Sequence, residues 1–174
     1  MSARRLLQVL LLVQMAAAAA IAWAAVRWLD AAPWKAALAG LACVVLVRLA
    51  ISANNFAMSA RHASATPEGF RLGVAGRLRL FGEEFAASMV QSSWIMPRAG
   101  ACRRIHAGSS SPPVLLVHGY GCNSGYWAHL MPLLDAAHIS YASVDLEPMA
   151  GDIDGYVPLI ERAVSGLDKN TGEN

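Results

Sequence analysis

From Leu6 to Val26 the chain runs 21 residues without a charged side chain. At 1.5 Å per residue, a helix of that length crosses the roughly 30 Å hydrocarbon layer of a bilayer. A segment in lipid has no water to satisfy its backbone polar groups, so a single span of this kind must be helical. Arg4 and Arg5 precede the run, and Arg27, Trp28 and Asp30 follow it at the level of the opposite interface. The competing reading is a cleaved signal peptide, for which small-residue sites such as Ala22-Trp23-Ala24 are available. The run exceeds the roughly 7 to 15 residues of such a core, which favours the span.

A second apolar stretch opens at Pro33 and Trp34, with 12 uncharged residues from Ala36 to Val47 before Arg48. Twelve residues alone suit a buried or an interfacial helix. If the span runs from Trp34 to about Asn54, Arg48 lies in its last two turns, from which a guanidinium can snorkel to the headgroups. The expectation is therefore a helical hairpin, residues 6–26 and 34–54, turned by Asp30 to Pro33, with Arg48 as an anchor. Arg4, Arg5, Arg48, Arg61, Arg71, Arg77 and Arg79 lie on one side of it, against Arg27 and Lys35 in the loop. The positive-inside rule then places both termini in the cytoplasm of a cell (inner) membrane protein.

Charge divides the remainder. Residues 1–110 hold 12 basic and 4 acidic side chains, a local charge of +8, and residues 111–174 hold 2 and 8, a local charge of −6. The formal net charge of +2 conceals this split, and neither half carries a nucleic-acid or phosphate-loop motif. Three regions are expected: a membrane anchor over 1–56, a basic linker over 57–110 and a separate domain over 111–174. Within the linker, Ser59–Gly69 is small and polar. Phe81–Met96 sets Phe85, Met89 and Trp94 on one helical face, ended by Pro97. The small residues of 108–113 form a loop.

Val114-Leu-Leu-Val117 reads as a strand buried on both faces of a parallel sheet. It ends at His118-Gly119-Tyr120-Gly121. Ala128–Ala137 has helical character, Ser140–Val144 is a second strand, 151–155 is a loop, and Tyr156–Leu167 places Val157, Ile160, Val164 and Leu167 on one helical face. Strand, helix, strand, helix argues for a parallel sheet with right-handed crossovers.

The run Pro112 to Gly121, with Trp127 after it and Val144-Asp-Leu-Glu-Pro148 leading to Ile153-Asp-Gly-Tyr-Val-Pro-Leu-Ile160, resembles the lipase and esterase members of the α/β-hydrolase superfamily over about residues 112–168. The resemblance implies an α/β fold in which the membrane hairpin is followed by an incomplete α/β-hydrolase parallel sheet. It also implies hydrolysis of a hydrophobic carboxylic ester. The loop of His118, Gly119 and Gly121 would present the backbone N–H of Tyr120 as one of two oxyanion donors, with Tyr126 and Trp127 near the acyl group. Acyl transfer passes through a tetrahedral oxyanion, and a preformed donor that meets this charge contributes about 3 to 4 kcal/mol. His118 is not expected to be the base, because the family orders its triad Ser, acid, His after this loop.

The nucleophile elbow Gly-x-Ser-x-Gly does not occur; the nearest imitation is Gly121-Cys-Asn-Ser124-Gly125. Nucleophile, acid and base are expected to be missing, as in a chain cut before its third parallel strand, which would leave an apolar sheet edge open. The alternative is a two-helix membrane protein, permease-like or scaffolding, with a hydrolase-derived tail. Cys43, Cys102 and Cys122 lack metal-site spacing and are expected to be free thiols, with a bridge between the last two conceivable only outside the cell. The five histidines show no ligand spacing, so neither a metal nor a cofactor is expected. The expected partners are the lipid bilayer and a hydrophobic ester or lipid substrate.

Overall fold

The computed structural model describes residues 1–62, 64 and 67–171. It divides into two compact units. One comprises Met1–Val9 and the chain from Val90 onward, and the other Leu10–Met89. The linker expected over Ser59–Gly69 lies partly outside the described residues, as does the tail from 172.

The helical unit is built on α1 (Ala3–Leu29) and α2 (Pro33–Arg61), both long and apolar enough to cross a membrane. Each extends several residues beyond its uncharged run, because Arg27, Lys35 and the polar residues after Ile51 are all compatible with helix. Asp30 adopts a left-handed φ of 48° and ends α1, and the N–H of Ala31 reaches back to the carbonyl of Ala25. Pro33 opens α2 at its first turn, where a missing N–H is harmless.

Small residues set the packing. Ala18, Ala36 and Gly40 are buried, while Leu12, Val13, Leu38 and Leu46 are exposed. A Cβ built at Gly40 would fall on the carbonyl oxygen of Ala18. Close backbone approach of this kind is how apolar helices associate in lipid, where no hydrophobic difference drives them together. Arg48, expected as a headgroup anchor, donates through its Nη1 to Gln14 Oε1 across the hairpin at 3.4 Å. The helix expected over 81–96 begins earlier, after Gly73. α3 spans Val74–Val90 and is followed by a π-helical turn at Gln91–Ile95. The wider turn takes Trp94 off the stripe of Phe85 and Met89, and it lies exposed beneath the Arg98 guanidinium, 3.6 Å from the ring centroid.

The other unit holds a three-stranded sheet in the order β1-β3-β2, with β1 at Arg103–Arg104, β2 at Val114–Val117 and β3 at Tyr141–Val144. β2 and β3 are parallel, in register from Val114 opposite Tyr141 to Val117 opposite Val144. The sheet is mixed and not purely parallel, because β1 runs antiparallel to β3. β3 is thus the central strand, buried at all four positions. α4 (Met131–Ala136) is shorter than the helix expected over 128–137, since the segment before it forms a 3-10 turn at Ser124–Trp127. α5 (Val157–Thr171) follows a 3-10 turn at Asp154–Tyr156 and packs on β3. Leu116, Leu134 and Tyr141 form the core, with Trp127, Leu130, Met131 and Ile139 packed around them.

Tyr141 ends this core in a polar group: its hydroxyl donates to Asp135, which also receives His106 at 3.0 Å and the Arg104 guanidinium at 3.5 Å. Burial pushes the Tyr141 phenol above its ordinary 10.0; Arg104 opposes the shift and the Asp135 charge adds to it.

Two outcomes are expected. Gly40→Val should lower the stability of the hairpin by about 1–3 kcal/mol, the usual penalty for overpacking. Leu38→Ala on the exposed face should leave it unchanged; detergent-induced loss of helical circular dichroism measures both. Because the folded Tyr141 phenol titrates above its unfolded value, its contribution is intact below pH 10 and is lost as pH rises through the higher folded value. Tyr141→Phe should therefore remove part of the alkaline loss of stability in a pH series of thermal melts.

Candidate functional site

The parallel strands β2 and β3 deliver their C-terminal ends side by side, the edge at which open parallel folds place ligands. His118 leaves β2 buried and bridges to the segment leaving β3. Its Nε2 accepts the N–H of Leu146 at 3.0 Å, so the proton sits on Nδ1, which donates to the Gly119 carbonyl at 2.9 Å. Both ring nitrogens are engaged by backbone groups. The imidazole holds the two strand ends together and is not placed to serve as a base.

The chain then turns. The N–H of Cys122 returns to the Gly119 carbonyl at 3.3 Å, closing a four-residue turn whose third residue, Gly121, has φ +75°. That position in such a turn calls for glycine. Among the described residues, the backbone N–H of Tyr120 meets no acceptor, and its side chain is 83% exposed.

A second carboxylate organises the loops around this turn. Asp145, the first residue after β3, accepts the N–H of Ser124 at 2.6 Å and also the Ser124 hydroxyl. Its other oxygen accepts the N–H of Ala101 at 3.1 Å. Asn123, also buried, caps the 3-10 turn through Gly125 and donates to the Met96 carbonyl at 2.7 Å. Ser124, Asp145 and His118 lie close together, with His118 Nε2 3.9 Å from Asp145. They do not form a triad, because the serine hydroxyl is bound to the carboxylate, and Ser124 is 1% exposed. Nucleophilic serines stand exposed beside a base.

A cavity of about 340 Å³ opens at this edge. His118, Gly119, Tyr120, Gly121 and Cys122 form one wall, and Leu146, Met149, Gly151, Ile153, Tyr156 and Ile160 form the rest. Its lining is mostly apolar, of the size and character of small-molecule sites. The Tyr156 hydroxyl donates to the Pro148 carbonyl and accepts the N–H of Gly151 at 3.0 Å, which shapes the loop over the cavity. Burial raises the Cys122 thiol above 9.0, leaving little thiolate at neutral pH, so Cys122 is cavity wall and not an activated nucleophile.

The oxyanion-loop residues picked out in the sequence therefore lie together on one wall. Tyr126 and Trp127 do not line the cavity. Asn123 starts the 3-10 turn early, which leaves Tyr126 half exposed and turns Trp127 into the core, where its Nε1 is buried without a partner among the described residues. The apolar wall comes instead from Leu146, Met149, Ile153 and Ile160. Of these, only Ile160 belonged to a recognisable stripe, the apolar face of α5. Cys43, Cys102 and Cys122 are free thiols. No protein family, no curated protein and no solved structure matches the chain.

Asp145→Ala would strand three donors, one of them the N–H of fully buried Ser124. It should lower the stability of this unit by about 1–3 kcal/mol. Amide hydrogen exchange should accelerate at Ser124 and Ala101 before it does so along β2 and β3.

Proposed function

We propose that the chain is a membrane-anchored protein of the ester-hydrolase type of lipases and esterases, contributing the oxyanion loop and an acyl cavity. One observation carries the reading: the unengaged N–H of Tyr120 lies in a glycine turn that lines an apolar cavity, at the carboxyl ends of two parallel strands. Such a donor, held before substrate arrives, is what a developing oxyanion requires. Gly119 and Gly121 allow the loop to approach the substrate closely, and His118 fixes the loop against β3. The acyl chain of the ester would lie against Leu146, Met149, Ile153 and Ile160.

The anchor fits a substrate that partitions into lipid. α1 and α2 supply two spans, and the excess of arginine on one side of them supports a cytoplasmic sheet unit at the cell membrane. Nucleophile and base come from no motif in these 174 residues. The engagement of Ser124 by Asp145 favours a second reading, a non-enzymatic membrane protein that keeps the cavity only for binding.

The test uses the full chain in lipid nanodiscs with methyl hexanoate as probe. The amides of Tyr120 and Gly121 should shift saturably, and Ile160→Trp, which fills the cavity, should abolish the effect. Unmoved amides, or shifts indifferent to Ile160→Trp, would refute the acyl-cavity reading. The chain alone should not hydrolyse a p-nitrophenyl ester; turnover that a serine-directed phosphonate blocks would overturn the assignment of Ser124 as structural.

A further inference from the structure

The apolar stripe of α3 is only half covered. Val74, Leu78, Phe81 and Phe85 recur at 4, 3 and 4 residues, the spacing of one helical face. Phe81 and Phe85 are half-buried; Phe81 stands edge-to-face on Phe56 of α2 with ring centroids 5.5 Å apart. Toward the start of the helix the same stripe is bare, with Val74 77% and Leu78 66% exposed. Phe70 and Leu72, just upstream, are exposed as well.

The position of α2 says what lies against this bare face. With the span ending near Asn54, Phe56 stands one turn or less beyond the hydrocarbon edge. The groove shared by Ser52, Asn55, Phe56 and Ser59 of α2 with Phe81 and Phe85 of α3 packs that stretch of α3 beside the end of the span. Exposed arginines border the bare apolar residues: Arg71, Arg77 and Arg79. Arg71 pairs with exposed Glu68 at 3.8 Å and Arg79 with exposed Glu83 at 2.8 Å, pairs too solvated to neutralise the face. Apolar side chains flanked by arginine, on a helix packed beside the end of a span, match the composition of helices that lie on an anionic membrane surface.

We propose that Phe70–Arg79 is a third membrane contact, in which Phe70, Leu72, Val74 and Leu78 enter the headgroup–acyl boundary and Arg71, Arg77 and Arg79 bind anionic phospholipid headgroups. The proposal rests on α2 spanning the bilayer and is independent of any ester chemistry.

The photo-crosslinking residue p-benzoyl-phenylalanine, placed one at a time at Val45, Val74, Leu78 and Glu83 of the full chain, tests it. Nanodiscs of phosphatidylcholine, with and without phosphatidylglycerol, provide the membrane, and mass spectrometry reads the adducts. Positions 74 and 78 should yield phospholipid adducts, as the mid-span position 45 does, and position 83 should not. Phosphatidylglycerol should raise the yield at 74 and 78 several-fold, and the combined Arg71→Gln, Arg77→Gln and Arg79→Gln variant should erase that gain. Adducts at 74 and 78 only to protein, or none, overturn the proposal while position 45 still reports a span. A yield indifferent to lipid charge overturns the headgroup assignment. No lipid adduct at 45 overturns the spanning reading of α2 and this proposal with it.

Discussion

Two parallel strands of a small mixed sheet end at the same edge, and their backbone polar groups lose strand partners at the moment the chain turns. The sheet unit depends on how that deficit is met. Asp145 takes the donors of Ala101 and Ser124, His118 takes the N–H of Leu146, and Asn123 ties the same loops to Met96. With these partners in place, the loops are held apart and a cavity remains between them. Deprived of them, these donors would be left without acceptors and the loops would lose the ties that hold them apart. Among the described residues, the N–H of Tyr120 finds no acceptor at this edge.

The helical unit obeys a different constraint. Its two long helices leave much apolar surface exposed, and the contact between them is a close approach of small residues. Gly40 against Ala18 provides that approach, and Arg48 to Gln14 adds a polar link across the same pair of helices. The two units thus use opposite strategies within one chain: polar ties that hold a cavity open, and small apolar residues that hold two helices shut.

How much of this could be read beforehand follows from which signals are periodic. The charge-free runs marked α1 and α2, the apolar block Val114–Val117 marked β2, and the stripe of Val157, Ile160 and Val164 marked α5. The glycines around Tyr120 announced a turn before any geometry was known. Strand β1 was invisible, because Arg103 and Arg104 carry no apolar alternation and become a strand only by pairing with β3. The start of α3 was hidden by Gly76 and by arginines that have no preferred side in a short window. Trp127 was misplaced because a side-chain cap at Asn123, two residues before Gly125, decides where the 3-10 turn begins. Met149 and Ile153 belong to a loop, where no pattern distinguishes a cavity wall from solvent-facing residues.

Gly121 has a further consequence. Its φ of +75° excludes ordinary side chains, yet a Cβ built there meets no atom within 4 Å. What restricts the residue is therefore handedness and not volume. An L-alanine would be strained in open space, whereas D-alanine, for which this φ is the favoured one, would be free of that backbone strain and would narrow the conformations available to the unfolded loop. The turn beside Tyr120 is thus a place where stereochemistry alone separates a disruptive methyl group from a stabilising one.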